Sequence, residues 1–156
     1  MKRILMILMF VLLPLAMSAQ SPLDAFFDKK GGEKGYQTVI YGKRMLDIMK
    51  EDASPDTKAL LKRIRTIRII SSQKASDDII RIARQDVRES RKYETISQIN
   101  ENGSLSEFHI SENIGKAKDV SFVMIVSSSQ GSAVVEIIGE FDVKDISRLS
   151  VIGQKK

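Results

Sequence analysis

From Tyr93 to Glu140 apolar side chains recur at every second position, a period that commits this stretch to β-structure. Its first two segments, Glu94 to Asn100 and Leu105 to Ser111, are separated by Glu101-Asn102-Gly103-Ser104. Asn-Gly is preferred where both residues of a two-residue turn need positive φ, so the pair predicts a tight hairpin. The next two segments, Val120 to Ser127 and Ser132 to Glu140, flank a second turn at Ser128-Ser129-Gln130-Gly131. In the strand from Val120 both alternating sets are largely apolar, with Val120, Phe122, Met124 and Val126 on one side and Val123 and Ile125 on the other. That pattern predicts a central strand, in a sheet covered there on more than one face.

The chain ahead of Tyr93 is mainly helical in period. Ser21-Pro22 before Leu23, Phe26 and Phe27 predicts a short helix capped by Ser21, and Lys29 to Gly35 a glycine-rich loop. Tyr36 to Tyr41 reads as a strand, and Lys43 to Lys50 as a helix through Met45, Leu46, Ile48 and Met49. Ser54-Pro55-Asp56 supplies a cap, a first-turn proline and an acid at the positive end of the dipole. The helix it opens buries Leu60, Leu61 and Ile64, and Thr66 to Ser71, rich in β-branched residues, follows as a strand. The longest helix is expected from Ser76-Asp77-Asp78 to about Lys92, burying Ile79, Ile80, Ala83 and Val87. Asp142 to Ser150 can form a last helix through Val143, Ile146 and Leu149. Helices early and antiparallel strands late predict one α+β domain over 20–156, a mostly antiparallel sheet with helices packed mainly on one face.

Residues 1–19 read as a cleavable export signal: Met1-Lys2-Arg3, an apolar run from Ile4 to Met17, then Ser18-Ala19 ahead of Gln20. The run spans 14 residues, whereas a helix crossing a bilayer core needs roughly 20. No transmembrane span is expected after processing, and retention as an anchor is the alternative. The chain has no cysteine, which excludes a lipid-modified cysteine, disulfides and thiolate metal sites. The expected location is periplasmic or secreted, without a lipid anchor. Loss of Lys2 and Arg3 leaves 23 basic against 20 acidic residues, a mild excess that does not by itself mean nucleic acid. No nucleic acid partner is expected.

Several segments together resemble the domain of unknown function 4252 family. They are Ser21-Pro22-Leu23-Asp24-Ala25-Phe26-Phe27 after the signal, a strand entering Gly42-Lys43-Arg44-Met45-Leu46, the run from Leu60 to Ile70, and Ile138-Gly139-Glu140-Phe141-Asp142. The resemblance spans nearly all of the mature chain and lies in the order of loose hydrophobic patterns. It implies a small exported protein of Bacteroidetes with no assigned activity, and it carries over no catalytic residues. Some members are lipoproteins; this chain lacks the cysteine that would be modified.

Few residues invite a chemical role. His109, the only histidine, shares a strand face with Glu107, a pair able to hold a metal or exchange protons. A zinc site needs three or four such ligands, so a solvated polar face is the expectation. Ser127-Ser128-Ser129 lacks a nucleophile elbow and reads as a hairpin loop, while Gly31, Gly32 and Gly35 precede a strand and form no phosphate cradle. The densest positive charge lies on Lys62, Arg63, Arg65 and Arg68 and on Arg81, Arg84, Arg88 and Arg91. If the two segments lie side by side they make a basic strip; otherwise they are ordinary solvated faces. No residue is assigned a catalytic, metal or cofactor-binding role, and no cofactor is expected. The sequence therefore predicts a non-enzymatic envelope protein, an interaction or accessory module contacting another envelope protein or an anionic surface component. The alternative is a carrier binding a small apolar ligand between helices and sheet, and a weaker one a small hydrolase relying on His109.

Overall fold

The computed structural model describes residues 21–74, 77–111, 118–142 and 144–145. The expected export signal, Ser76 and most of the last expected helix lie outside the described residues. Four helices are present among them: α1 (Asp24–Lys30), α2 (Lys43–Met49), α3 (Pro55–Arg63) and α4 (Asp77–Ser90). Six strands, β1 (Gln37–Tyr41), β2 (Ile64–Ser72), β3 (Glu94–Glu101), β4 (Ser104–Ser111), β5 (Val120–Ser128) and β6 (Gly131–Gly139), form one sheet in the order β1-β2-β6-β5-β4-β3. Every neighbouring pair is antiparallel. Among the described residues the sequence of elements follows the predicted one, and the fold is α+β in a single domain, with two helices on each face of the sheet where packing mainly on one face is expected.

Local chemistry explains the element ends. Asn102 and Gly103 have φ of 51° and 76°, the doubly positive turn that closes a two-residue hairpin between β3 and β4. The Ser54 hydroxyl accepts a hydrogen bond from the Thr57 N–H at 3.4 Å, and Pro55 occupies the first helical position of α3. At its far end α3 passes into β2 without a loop, because Ile64 is already extended at φ −79°, ψ 135°. The crossing is tight: a Cβ on Gly139 would lie 2.3 Å from the Arg63 carbonyl oxygen, which also accepts from the Glu140 N–H at 2.9 Å. Helix α4 stops at Ser90 because Arg91 adopts φ 52°, two residues short of the expected Lys92.

Two of the early expectations change. Ser21 does not cap α1: Leu23 takes the cap position with no side-chain bond, and the Ser21 hydroxyl turns inward to Glu136. The same hydroxyl oxygen accepts from the Leu23 N–H at 3.2 Å, ahead of the helix, while its proton goes to a buried carboxylate oxygen that needs a donor. Helix α2 buries only Leu46, leaving Met45, Ile48 and Met49 exposed at 45%, 59% and 40%.

Apolar side chains fill both faces of the sheet. On the first face Ile70, Val123, Ile125 and Val134 pack against Phe26 and Phe27 of α1 and Ile79, Ile80, Ala83 and Val87 of α4. On the second, Ile64, Phe122 and Ile137 meet Leu46 of α2, Leu60 and Leu61 of α3, and Phe141. Adjacent residues Phe122 and Val123 thus serve opposite cores, which accounts for the doubly apolar β5. The longest helix and α1 share the first face, while α2 and α3 sit on the second at the β1–β2 side. Each fully buried Leu, Ile or Phe contributes about 1.5–3 kcal/mol of transfer free energy. Lys30 ties the helices of the first face together, its ammonium 2.8 Å from Glu33 and 3.0 Å from Asp78 of α4.

Candidate functional site

Strand β4 carries Glu107 and His109 on the first face and Phe108 on the second, as the alternation predicts. The pair is not solvated, however: Glu107 is 9% exposed and His109 7%. Helix α4 lies above it, and Arg84 reaches down to clasp Glu107, with Nε at 2.8 Å from one carboxylate oxygen and Nη2 at 3.1 Å from the other. One member of the expected basic strip is therefore the partner of one member of the expected polar pair.

His109 is held from the opposite side by β3. Its Nδ1 lies 3.0 Å from the Thr95 hydroxyl, whereas Nε2 is buried, has no hydrogen-bond partner among the described residues and stands 3.8 Å from a Glu107 oxygen. That distance is too long for a hydrogen bond. Burial pushes the imidazole pKa below its ordinary value, overcoming the opposite pull of Glu107. The neutral ring carries one N–H, and a lone pair on Nε2 would face the Glu107 carboxylate. The geometry therefore assigns the proton to Nε2, with Nδ1 accepting from Thr95.

A bulge in β3 completes the surroundings. The register slips between Thr95 and Ser97, so Ile96 is the extra residue and both Thr95 and Gln98 fall on the first face, opposite His109 and Glu107. The result is a groove of about 550 Å³ beneath the edge of α4, lined by Arg84, Arg88, Tyr93, Gln98, Glu107 and His109 among others. Arg88 is exposed and has no ion pair among the described residues.

The basic strip does not form. Helix α3, with exposed Lys62 and Arg63, lies on the face opposite α4, with Arg81, Arg84 and Arg88. Most of these arginines are neutralised singly: Arg63 by both oxygens of Asp145 at 2.7 Å, Arg65 by Asp119 at 3.0 Å and Glu140 at 3.2 Å, Arg81 by Asp78 at 2.8 Å.

A second polar cluster on the first face escaped the sequence reading. Glu136 of β6 is fully buried and directly opposite Arg68 of β2. One of its oxygens accepts from Ser21 and from Ser121 at 2.7 Å, with the Tyr93 hydroxyl at 3.5 Å. The other accepts from Arg68, whose Nε is at 2.9 Å. Arg68 also pairs with Asp24 at 2.6 Å and lies over the Phe27 ring, 4.3 Å from its centroid. Burial, then the Glu136 charge, pushes the Tyr93 phenol well above its ordinary pKa, so Tyr93 is a neutral donor. The signal was present in the sequence: Glu136 is the lone charge of β6, and Arg68 sits between Ile67 and Ile69 in an otherwise isoleucine-rich run.

The remaining candidates settle as loops. Ser128 donates to the Gly131 carbonyl at 3.2 Å within the β5–β6 turn. Among the described residues no three His, Asp or Glu side chains are grouped to hold a metal ion, and no helix is long and apolar enough to cross a membrane.

Comparison with curated proteins finds no match. Among solved structures, the chain is similar to the Ran-binding protein Mog1p of Saccharomyces cerevisiae, with 12% identity and a TM-score of 0.36 over 75% of this chain and 74% of that one. A likeness this slight bears on neither fold nor function. The family comparison is decisive: the model described as "Domain of unknown function (DUF4252)" matches residues 27–149, and the chain belongs to that family.

Proposed function

We propose that the protein is an exported, non-enzymatic interaction module whose contact site is the groove beneath α4. The observation that carries this reading is the Nε2 of His109, a buried polar atom with no partner among the described residues, beside Arg88, which has no ion pair among them. A buried donor left unmade costs about 1–3 kcal/mol. A fold tolerates that cost where something else completes the bond.

The surrounding chemistry favours binding over turnover. Glu107 is engaged by Arg84, Tyr93 is a neutral phenol, and although Thr95 donates to the His109 Nδ1, Glu107 stands 3.8 Å from Nε2, too far to hydrogen-bond the imidazole as the third member of a catalytic relay. The carrier alternative finds less support, because the space between α4 and the sheet holds the packed side chains of Ile79, Ala83, Val87, Val123 and Ile125. Export rests on the signal-like N-terminus, and cleavage after Ala19 is checked by the mass of the native protein.

The contact site is tested by a photo-crosslinking residue placed at Gln85, exposed on α4 beside Arg84 and Arg88, or, as control, at Lys62 on the opposite face, in cells that export the protein. An adduct from position 85 and none from position 62 is expected. Equal labelling from both, or hydrolysis of an ester, phosphoester or glycoside panel that His109→Ala abolishes, overturns the reading.

A further inference from the structure

Resting on the groove as contact site, we propose that its ligand is a carboxylate, bound between the Arg88 guanidinium and the Nε2–H of His109. The unused hydrogen-bonding groups are mainly donors. The Arg84 fork is spent on Glu107, whereas Arg88 offers an unpaired planar fork, His109 offers one N–H, and Gln98 adds an amide. Donors converging from three elements, α4, β3 and β4, ask for an oxygen acceptor.

Charge selects among oxyanions. Arg84 and Glu107 cancel and His109 is neutral, so Arg88 supplies the one uncompensated positive charge of the groove. A carboxylate balances it. A phosphate dianion would bring a second negative charge beside Glu107 into a partly buried site, where screening is weak. The volume of about 550 Å³ lies within the range of pockets for small ligands, so the carboxylate belongs to a free organic acid or to the end of a peptide. Arg88 is the anchoring residue, and Thr95 is a positioning residue that fixes the imidazole tautomer.

Because His109 is the only histidine, its imidazole Cε1–H gives a single proton resonance that reports on the groove. The full protein is titrated at constant pH with acetate, an N-acetylated tetraglycine with a free C-terminus, the same peptide as its amide, and inorganic phosphate. A saturable shift is expected with the free-acid peptide and none with the amide. Acetate equal in affinity to the peptide assigns the small acid as the source; tighter peptide binding assigns the chain terminus. Arg88→Gln should weaken binding about tenfold or more, the loss of a charge-assisted bond, and Arg81→Gln should leave it unchanged. Arg88 makes no ion pair among the described residues, so its variant should keep the parent circular dichroism spectrum. Phosphate binding more tightly than the carboxylates, no shift with any probe, or affinity indifferent to Arg88→Gln overturns the assignment. The groove as contact site is judged separately, by the crosslinking experiment.

Discussion

Replacing Arg68 by methionine should be among the most damaging single changes in this fold. The side chain is 12% exposed and its partner Glu136 is fully buried, so the change strands a carboxylate on the sheet face covered by α1 and α4. Breaking a buried pair in this way costs about 3–5 kcal/mol, against a total stability of roughly 5–15 kcal/mol for a domain of this kind. Glu136→Met should cost less, about 2–3 kcal/mol. Arg68 then retains Asp24 at 2.6 Å, and the Ser121 and Tyr93 hydroxyls retain each other at 2.9 Å. The double variant removes both charges and fills the space with apolar atoms, a replacement often neutral or better. It should therefore be more stable than Arg68→Met alone. The chain contains no tryptophan, so urea unfolding is followed by far-ultraviolet circular dichroism, and the four proteins form a double-mutant cycle. A double variant that unfolds at lower urea than both singles, or losses that simply add, would refute the claim that the cluster acts as one buried pair.

Gly139→Ala should cost about 1–3 kcal/mol in the same assay, because its Cβ would meet the Arg63 carbonyl oxygen at 2.3 Å and backbone cannot swing aside; Gly32→Ala, with open space around it, should stay within about 0.5 kcal/mol. Gly103→Ala places a Cβ at φ 76° and should cost about 1–2 kcal/mol, detected as a lower urea midpoint; an unchanged midpoint contradicts the positive-φ turn. The His109 pKa lies below its unfolded value, so on acidification the unfolded chain binds the proton first. Stability should fall as pH drops from about 6.5 towards the folded value, and His109→Gln should lose that part of the dependence. Parallel pH profiles for the two proteins would contradict it.

The antiparallel half of the fold was legible because its signals are local. Asn102-Gly103 specifies a turn by its own backbone preferences, and the double apolar set of β5 can be satisfied only by two covered faces. Ser54-Pro55 marked its helix start for the same reason. The sides of the sheet were not legible. Arg63 and Arg81 are close in sequence, yet β2 runs between α3 and α4 and carries them to opposite faces, so no count of charges could reveal that the strip fails to assemble. Ser21 shows the same limit in miniature. Its local pattern is a good cap, yet the helix starts past Leu23, and the Ser21 hydroxyl accepts from the Leu23 N–H and donates to a carboxylate 115 residues away. For Glu107 and His109 strand parity gave the shared face, but their burial depends on a helix crossing overhead.

The first face of the sheet holds two polar clusters, and hydrogen-bond saturation separates their roles. Around Glu136 both carboxylate oxygens are met by Arg68, Ser21 and Ser121, each supplied by the protein itself. A closed network of this kind has nothing left to offer a ligand, and its value lies in fixing how β2, β5 and β6 meet the chain before α1. Around His109 the count does not close. Nε2 has no acceptor, Arg88 has no counter-charge among the described residues, and the space beside them is open. Tyr93 joins the two, its hydroxyl bonded to Ser121 and its side chain lining the groove. The closed cluster thus anchors one wall of the open one, so Tyr93 is fixed in place before any ligand arrives.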